Sequence, residues 1–155
     1  MSHDYRLAAT LRLGWDDMHR DCLALAERLR PVGPFKGIVA VARGGLVPAA
    51  ILARELDCPL VETVCIASYD GRVQGGLTVL KDLPGDDGAG WLVVDDLVDS
   101  GATAAVVRAM LPKAHFATLY AKPAGRALVD TFVAEMDQEV WIVFPWEAAP
   151  VTEDA

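Results

Sequence analysis

The chain has no two cysteines in C-x-x-C spacing. It holds three in all, Cys22, Cys58 and Cys65, an odd number set far apart. A thiolate zinc site and a disulfide framework are therefore not indicated, and buried free thiols in a reducing compartment are expected. Long apolar runs are missing as well. None approaches the ~20 residues of a membrane span, and the N-terminus shows no apolar signal region, so a cytoplasmic protein without a transmembrane segment is expected. Basic charge is scarce: 14 Lys and Arg face 22 Asp and Glu, for a formal net charge of −8. That balance argues against a nucleic-acid scaffold held through phosphates. It does not argue against a small anionic substrate, because a local loop and a metal can outweigh the global field. No internal repeat or low-complexity tract is present. The 155 residues, 53% of them hydrophobic, are enough for one domain, 1–155, with a real core.

The stretch that organises the rest is Trp91–Thr103, WLVVDDLVDSGAT. Trp91, Leu92, Val93 and Val94 read as a buried strand. Asp95 and Asp96 follow as an acidic turn, then Asp99, then the small residues Ser100, Gly101, Ala102 and Thr103. A helix is expected over 104–111. A small-residue loop opening a helix presents backbone N–H groups and the positive end of the helix dipole, which suits a phosphate. Carboxylates just before it would repel that phosphate unless a divalent cation or sugar hydroxyls lie between. Phosphate, diol and Mg²⁺ together suggest a phosphorylated ribose. Each piece alone can be an ordinary helix cap or turn. The DDxxD pattern of Asp95, Asp96 and Asp99 also occurs in prenyl-diphosphate enzymes, but there it sits on long helices. Here it follows a strand in a short chain.

Read in order, residues 1–14 form a loose lead-in. Trp15, Met18, Cys22, Leu25, Ala26 and Leu29 recur at helical spacing, and Pro31 to Pro34 end that helix. His19 reads as a solvated or capping residue. A buried strand is expected at 37–42, then the loop Arg43-Gly44-Gly45, then a helix over 46–56 with Pro48 in its first turn. The loop is either a plain turn with a surface arginine or a diphosphate loop in which Arg43 and nearby amides hold a leaving group. Strands at 59–67 and 77–80 flank a polar, glycine-bearing segment, a flexible hairpin at about 68–81. A strand at 115–121 ends at Lys122, which is either a solvated lysine or a donor to a carbonyl oxygen. His115 reads as packed in the sheet. Further strands are expected at 129–136 and 140–144. Trp141 is core, interface or a platform for a flat heterocycle.

The thirteen-residue stretch resembles the 5-phosphoribosyl 1-diphosphate (PRPP) signature of type I phosphoribosyltransferases: hydrophobic strand, two acidic residues and a TGGT-like loop, here Ser100-Gly101-Ala102-Thr103. Alanine at 102 implies that this position needs no positive φ. The likeness runs from about Trp15 to Trp146 and includes Gly37–Pro48, Leu52–Leu56, Thr63–Asp70, Pro112–Phe116, Ala121–Arg126 and Pro145-Trp146, which match the purine-salvage branch acting on 6-oxopurines.

The resemblance implies an α/β fold: a mostly parallel twisted sheet flanked by helices, with a small hood from the N- and C-terminal segments. It implies transfer of phosphoribose from PRPP to N9 of xanthine, guanine or hypoxanthine, with release of diphosphate. Arg43 and Gly44 would hold the diphosphate. Asp95 and Asp96 would meet the ribose diol, with Asp96 on Mg²⁺. The run Asp95, Asp96, Leu97, Val98, Asp99, Ser100, Gly101, Ala102 and Thr103 would bind PRPP, its last four residues on the 5′-phosphate. Asp99 would face N7 as proton partner, Lys122 would contact O6, Trp141 would stack on the base and the Ile142 backbone would read its far edge. The family often has a non-proline cis peptide in the first loop, for which Ala42–Arg43 is the candidate here. Its hairpin closes over the reaction centre.

A homotetramer and peripheral attachment at the inner membrane belong to the same set of implications. Three departures stand out. Gly75 or Gly76 takes the place of a hairpin arginine, for which Arg72 or Lys81 would substitute. Val143 takes the place of an acidic residue, and the proline-bearing tail is absent. The preference among the three bases stays open. A PRPP-sensing regulator without turnover is the alternative from another class, and an adenine or pyrimidine transferase of the same fold is a third reading.

Overall fold

A computed structural model describes residues 9–68 and 76–147. Its elements in chain order are β1 Thr10–Arg12, α1 Trp15–Leu29, β2 Gly37–Ala42, α2 Leu46–Glu55, β3 Val61–Ser68, β4 Leu77–Lys81, β5 Trp91–Val98, α3 Ala102–Met110, β6 His115–Ala121, β7 Thr131–Glu135 and β8 Trp141–Val143. Two 3₁₀ turns lie at Arg126–Leu128 and Pro145–Glu147.

Six strands form one sheet in the order β4-β3-β2-β5-β6-β7. Only β4 runs antiparallel, at the edge beside β3. The central strands are apolar on both faces, as strands covered on both sides must be. Ile38, Ala40, Leu92 and Val94 pack against Met18, Leu25 and Leu52 of α1 and α2. Val39, Val41, Trp91 and Val93 pack against Ala104 and Val107 of α3 on the opposite face. The fold is α/β, with a mostly parallel sheet between helices.

The strand order has a consequence for ligands. β2 connects outward to β3, whereas its neighbour β5 connects outward to β6 on the other side. The two connections diverge and leave a crevice beyond the carboxyl ends of β2 and β5. In open α/β sheets such a switch point is where ligands bind. The loop after β2 carries Arg43 and Gly44, and the loop after β5 carries Asp99 to Gly101.

Several elements differ from their sequence-based bounds. Part of the expected lead-in is ordered: Thr10–Arg12 pairs in parallel with Trp141–Val143 in a separate two-stranded sheet. β5 does not stop at Val94. Asp95 to Val98 stay extended because β6 continues alongside them, pairing Asp95 with Thr118 and Val98 with Ala121. Thus Asp95 and Asp96 sit in a strand and not in a turn. β7 begins at Thr131, after a 3₁₀ turn and after Asp130, whose carboxylate accepts the Phe116 N–H at 2.8 Å. Cys22 and Cys58 are buried, but Cys65 is only partly so. Among the expected features, α1 matches its apolar stripe from Met18 on: Met18, Cys22, Leu25, Ala26 and Leu29 are buried and His19 is exposed, but Trp15 at the helix start is exposed. The tip of the expected hairpin, including Arg72 and Gly75, lies outside the described residues.

Candidate active site

The loop after β2 is tight because it leans on β5. The Ala42–Arg43 peptide is cis, and Arg43 is exposed. A Cβ on Gly44 would fall 2.4 Å from Asp96 Oδ2, so the Arg43 loop and the acidic strand are in contact only because residue 44 has no side chain. Arg43, Gly44, Asp95, Asp96 and Thr103 line one cleft.

The stretch from Asp95 in β5 through the loop to Thr103 in α3 lines an adjoining cleft along its whole length. Lys122, just after β6, and Trp141 and Ile142 of β8 close that cleft. Asp95, Asp96 and Thr103 belong to both clefts. Gly101 turns the chain into α3 at φ 90°, a left-handed conformation that a side chain would strain. Ala102 is already the first helical residue, and no positive φ is found there. The start of α3 therefore presents backbone amides beside the Ser100 and Thr103 hydroxyls, an arrangement fit for an anion. Ser100 Oγ accepts the Ala102 N–H at 3.3 Å. Leu97 and Val98 are strand residues paired with Tyr120 and Ala121. Their apolar side chains leave only the backbone to meet a ligand.

The electrostatics of the acidic pair are one-sided. Burial pushes the Asp95 carboxyl well above the usual carboxylate range, and the neighbouring Asp96 adds to the shift. Burial also raises Asp96, partly countered by hydrogen bonds from Asp95 and the Leu97 backbone, with Glu147 adding to the rise. The Asp96 N–H donates to Asp95 Oδ1 at 2.8 Å. Neither carboxylate has an ion-pair partner among the described residues. Two adjacent oxygen donors with raised proton affinity and no cation beside them suit a hard divalent ion such as Mg²⁺. Such an ion commonly takes one or two carboxylates and completes its shell with substrate oxygens and water. No cluster of three or more His, Cys, Asp or Glu fit for a metal is found among the described residues. Any such ion would therefore draw most of its ligands from outside the described residues.

Lys122 is not the solvated lysine its position suggested. It is 4% exposed, and its Nζ lies 3.3 Å from Asp99 Oδ2. Trp141 is not core: the residue is 62% exposed, while Ile142 beside it is buried. Lys81 does not reach the clefts. It donates to the Thr63 carbonyl at 2.7 Å and pairs with Glu62.

Three residues at the site were not singled out from sequence. Glu147 lines both clefts, and Phe144 lines the second. Phe144 stacks on Trp146 at 4.9 Å between centroids, which fixes the segment after β8. Gln138 donates from Nε2 to Asp99 Oδ1 at 2.8 Å. Glu147 adjoins the Pro145-Trp146 pair and so carried a local signal. Gln138 carried none, because its partner is 39 positions away.

A family model described as phosphoribosyl transferase domain matches residues 26–152. The chain is similar to a xanthine-guanine phosphoribosyltransferase of Nitratidesulfovibrio vulgaris (strain DP4), with 57% identity over 149 residues, covering 96% of this chain and 91% of that one. It is similar in the same degree, 57% over 148 residues, to the xanthine-guanine phosphoribosyltransferase of Desulfotalea psychrophila, covering 95% and 91%. Among solved structures, the fold resembles the purine phosphoribosyltransferase of Pyrococcus horikoshii, with a TM-score of 0.76 and 32% identity over 94% of this chain and 99% of that one.

Proposed function

Because the chain belongs to the phosphoribosyl transferase family, we propose that it is a purine-salvage enzyme that transfers phosphoribose from PRPP to N9 of a 6-oxopurine. Xanthine and guanine are the named substrates of its relatives, and hypoxanthine is the third candidate. The observation that carries this reading is the convergence at the switch point. An arginine loop, an acidic strand, a helix start and a lysine–tryptophan pair line two clefts that share Asp95, Asp96 and Thr103.

In this reading Ser100, Gly101, Ala102 and Thr103 take the 5′-phosphate through amides and hydroxyls at the start of α3. Asp95 and Asp96 accept hydrogen bonds from the ribose diol. Arg43, with the Gly44 amide, holds the diphosphate. Asp96 is the carboxylate best placed for Mg²⁺, which when bound offsets charge on the diphosphate and the acidic pair. The base lies against Trp141 with Lys122 at O6 and the Ile142 backbone at its far edge.

The purine N9 lone pair bonds to C1′ as the C1′–O bond breaks, and that electron pair departs with the diphosphate. Positive charge builds on the ribose in passing, and the carboxylates beside it stabilise that charge. The N7 proton of the base passes to the Asp99 carboxylate. The β1–β8 sheet serves as the hood.

Asp99 is more than half exposed, whereas Lys122 is enclosed. That division fits a proton acceptor beside a fixed donor to O6. A homotetramer, a cytoplasmic location and a peripheral association with the inner membrane rest on family resemblance. No helix among the described residues is long and apolar enough to cross a membrane.

The test is direct. The protein is incubated with Mg-PRPP and each of xanthine, guanine and hypoxanthine, and nucleoside monophosphate is measured. Formation on at least one 6-oxopurine is the expected result. PRPP binding without product on any base would instead identify a PRPP-sensing regulator.

A further inference from the structure

Asp99 stands on an exposed loop, yet both of its carboxylate oxygens are engaged. Lys122 Nζ lies 3.3 Å from Oδ2, and the Gln138 amide donates to Oδ1 at 2.8 Å. Gln138 is itself held from behind, because its Oε1 accepts the Ala124 N–H at 2.9 Å. Those two bonds also settle which end of the amide faces the carboxylate, since only the NH₂ group can donate to Asp99 and only the oxygen can accept from Ala124. Among the described residues, Lys122 is the only charged side chain within ion-pairing distance of Asp99.

The position of Gln138 in the chain matters as much as its bonds. It lies in the connection from β7 to β8, three residues before Trp141. Through one side chain it ties together the loop after β5, the turn after β6 and the entry to β8. Those segments carry Asp99, Lys122 and Trp141, the groups assigned above to the base. A carboxylate 52% exposed and tethered on one side only would sample several rotamers. The second tether leaves one.

We propose that Gln138 is a positioning residue for the base half-reaction: it holds Asp99 at the edge of the purine and sets the spacing between that carboxylate and the Trp141 platform. This inference rests on the roles of Asp99 and Trp141 given under the proposed function. It leaves the PRPP half of the site untouched, because among the described residues no hydrogen bond of Gln138 reaches Arg43, Asp96 or Thr103.

Two substitutions separate this role from a merely structural one. Gln138→Glu keeps an acceptor for the Ala124 N–H but cannot donate to Asp99, and it sets a like charge beside that carboxylate. Gln138→Leu removes both bonds without adding charge. If Gln138 only braced the turn through Ala124, glutamate would serve nearly as well as glutamine and leucine would be worse. If it acts through Asp99, the order reverses.

The measurements are kcat/KM for the base across pH, and the Kd of Mg-PRPP, for wild type, both variants and Asp99→Asn. The expected result is a loss on the order of ten- to a hundred-fold in kcat/KM for the base, as misplacement of a reacting group produces. The loss is larger in Gln138→Glu than in Gln138→Leu, with the acidic limb of the Gln138→Glu profile moved to higher pH. The Kd of Mg-PRPP stays within about two-fold in both, which also reports that the variants fold. Gln138→Glu equal to wild type, or a Gln138→Leu variant worse than Gln138→Glu with an unmoved profile, overturns the proposal while leaving the transferase reading intact. A wild-type protein without turnover, or an Asp99→Asn variant with the wild-type rate and profile, overturns the underlying reading and this inference with it.

Discussion

A Cβ placed on Gly44 would lie 2.4 Å from Oδ2 of Asp96. The two residues stand at the ends of neighbouring strands, β2 and β5, and close approach of their loops builds the crevice that both line. Gly44→Ala therefore has no room unless Asp96 moves. The side chain of Asp96 can swing away, so the fold survives and the site does not. The expected outcome is a thermal midpoint within a few degrees of wild type and a kcat/KM for PRPP lowered by about 10- to 100-fold, the scale of a misplaced active-site group. Calorimetry and steady-state kinetics on the same preparation check it.

Lys122 is almost wholly buried, and its charge faces Asp99 and the cleft proposed for the base. Lys122→Met keeps most of the volume and removes the donor. A hydrogen bond involving a charged group contributes about 1.5–3 kcal/mol, so kcat/KM for 6-oxopurines falls by roughly 10- to 150-fold while the Kd of PRPP holds. Lys122→Ala follows the same direction with an added cavity cost. A silent substitution would remove Lys122 from the base site and favour an adenine or pyrimidine transferase.

Trp141 is largely exposed beside a cleft. An exposed side chain contributes little to the fold, but base–aromatic stacking is worth about 1–3 kcal/mol. Trp141→Ala raises KM for the base by about ten-fold, and Trp141→Phe recovers most of that loss. Equilibrium denaturation of the two variants differs from wild type by less than about 1 kcal/mol.

Burial holds the proton on Asp95 to higher pH in the folded chain than in the unfolded one, where a carboxyl titrates near 3.8. Between those two values the folded state binds more protons, so stability falls as pH rises through that window and the penalty is complete above it. Asparagine at 95 does not titrate. In the absence of ligand, Asp95→Asn melts above wild type by roughly 2–4 °C at neutral pH, and the difference shrinks as pH falls toward 4. Turnover is lost in the same variant. Melting curves over a pH series decide it.

The sequence made the scaffold legible where one physical signal dominated. The apolar stripe of α1 and the doubly apolar β2 have no competing reading, and the small-residue loop before α3 announces itself by composition. The acidic pair misled because carboxylates in a strand are uncommon. β6 running alongside holds Asp95 to Val98 extended, and no local pattern reports a neighbouring strand. The same limit hid the ordered segment at Thr10–Arg12, whose partner is β8 at the far end of the chain. It also hid Gln138, whose role depends on contacts with Asp99 and Ala124. Lys122 looked solvated because position along a strand does not reveal what folds over its end.

The central claim is that the Arg43 loop and the Ser100–Thr103 loop grip opposite ends of a single PRPP. Equilibrium binding of three ligands, Mg-PRPP, diphosphate and ribose 5-phosphate, to wild type, Arg43→Ala and Thr103→Val tests it most directly. The account predicts that Arg43→Ala weakens PRPP and diphosphate but spares ribose 5-phosphate, and that Thr103→Val weakens PRPP and ribose 5-phosphate but spares diphosphate. An Arg43→Ala variant that binds Mg-PRPP as tightly as wild type would contradict it.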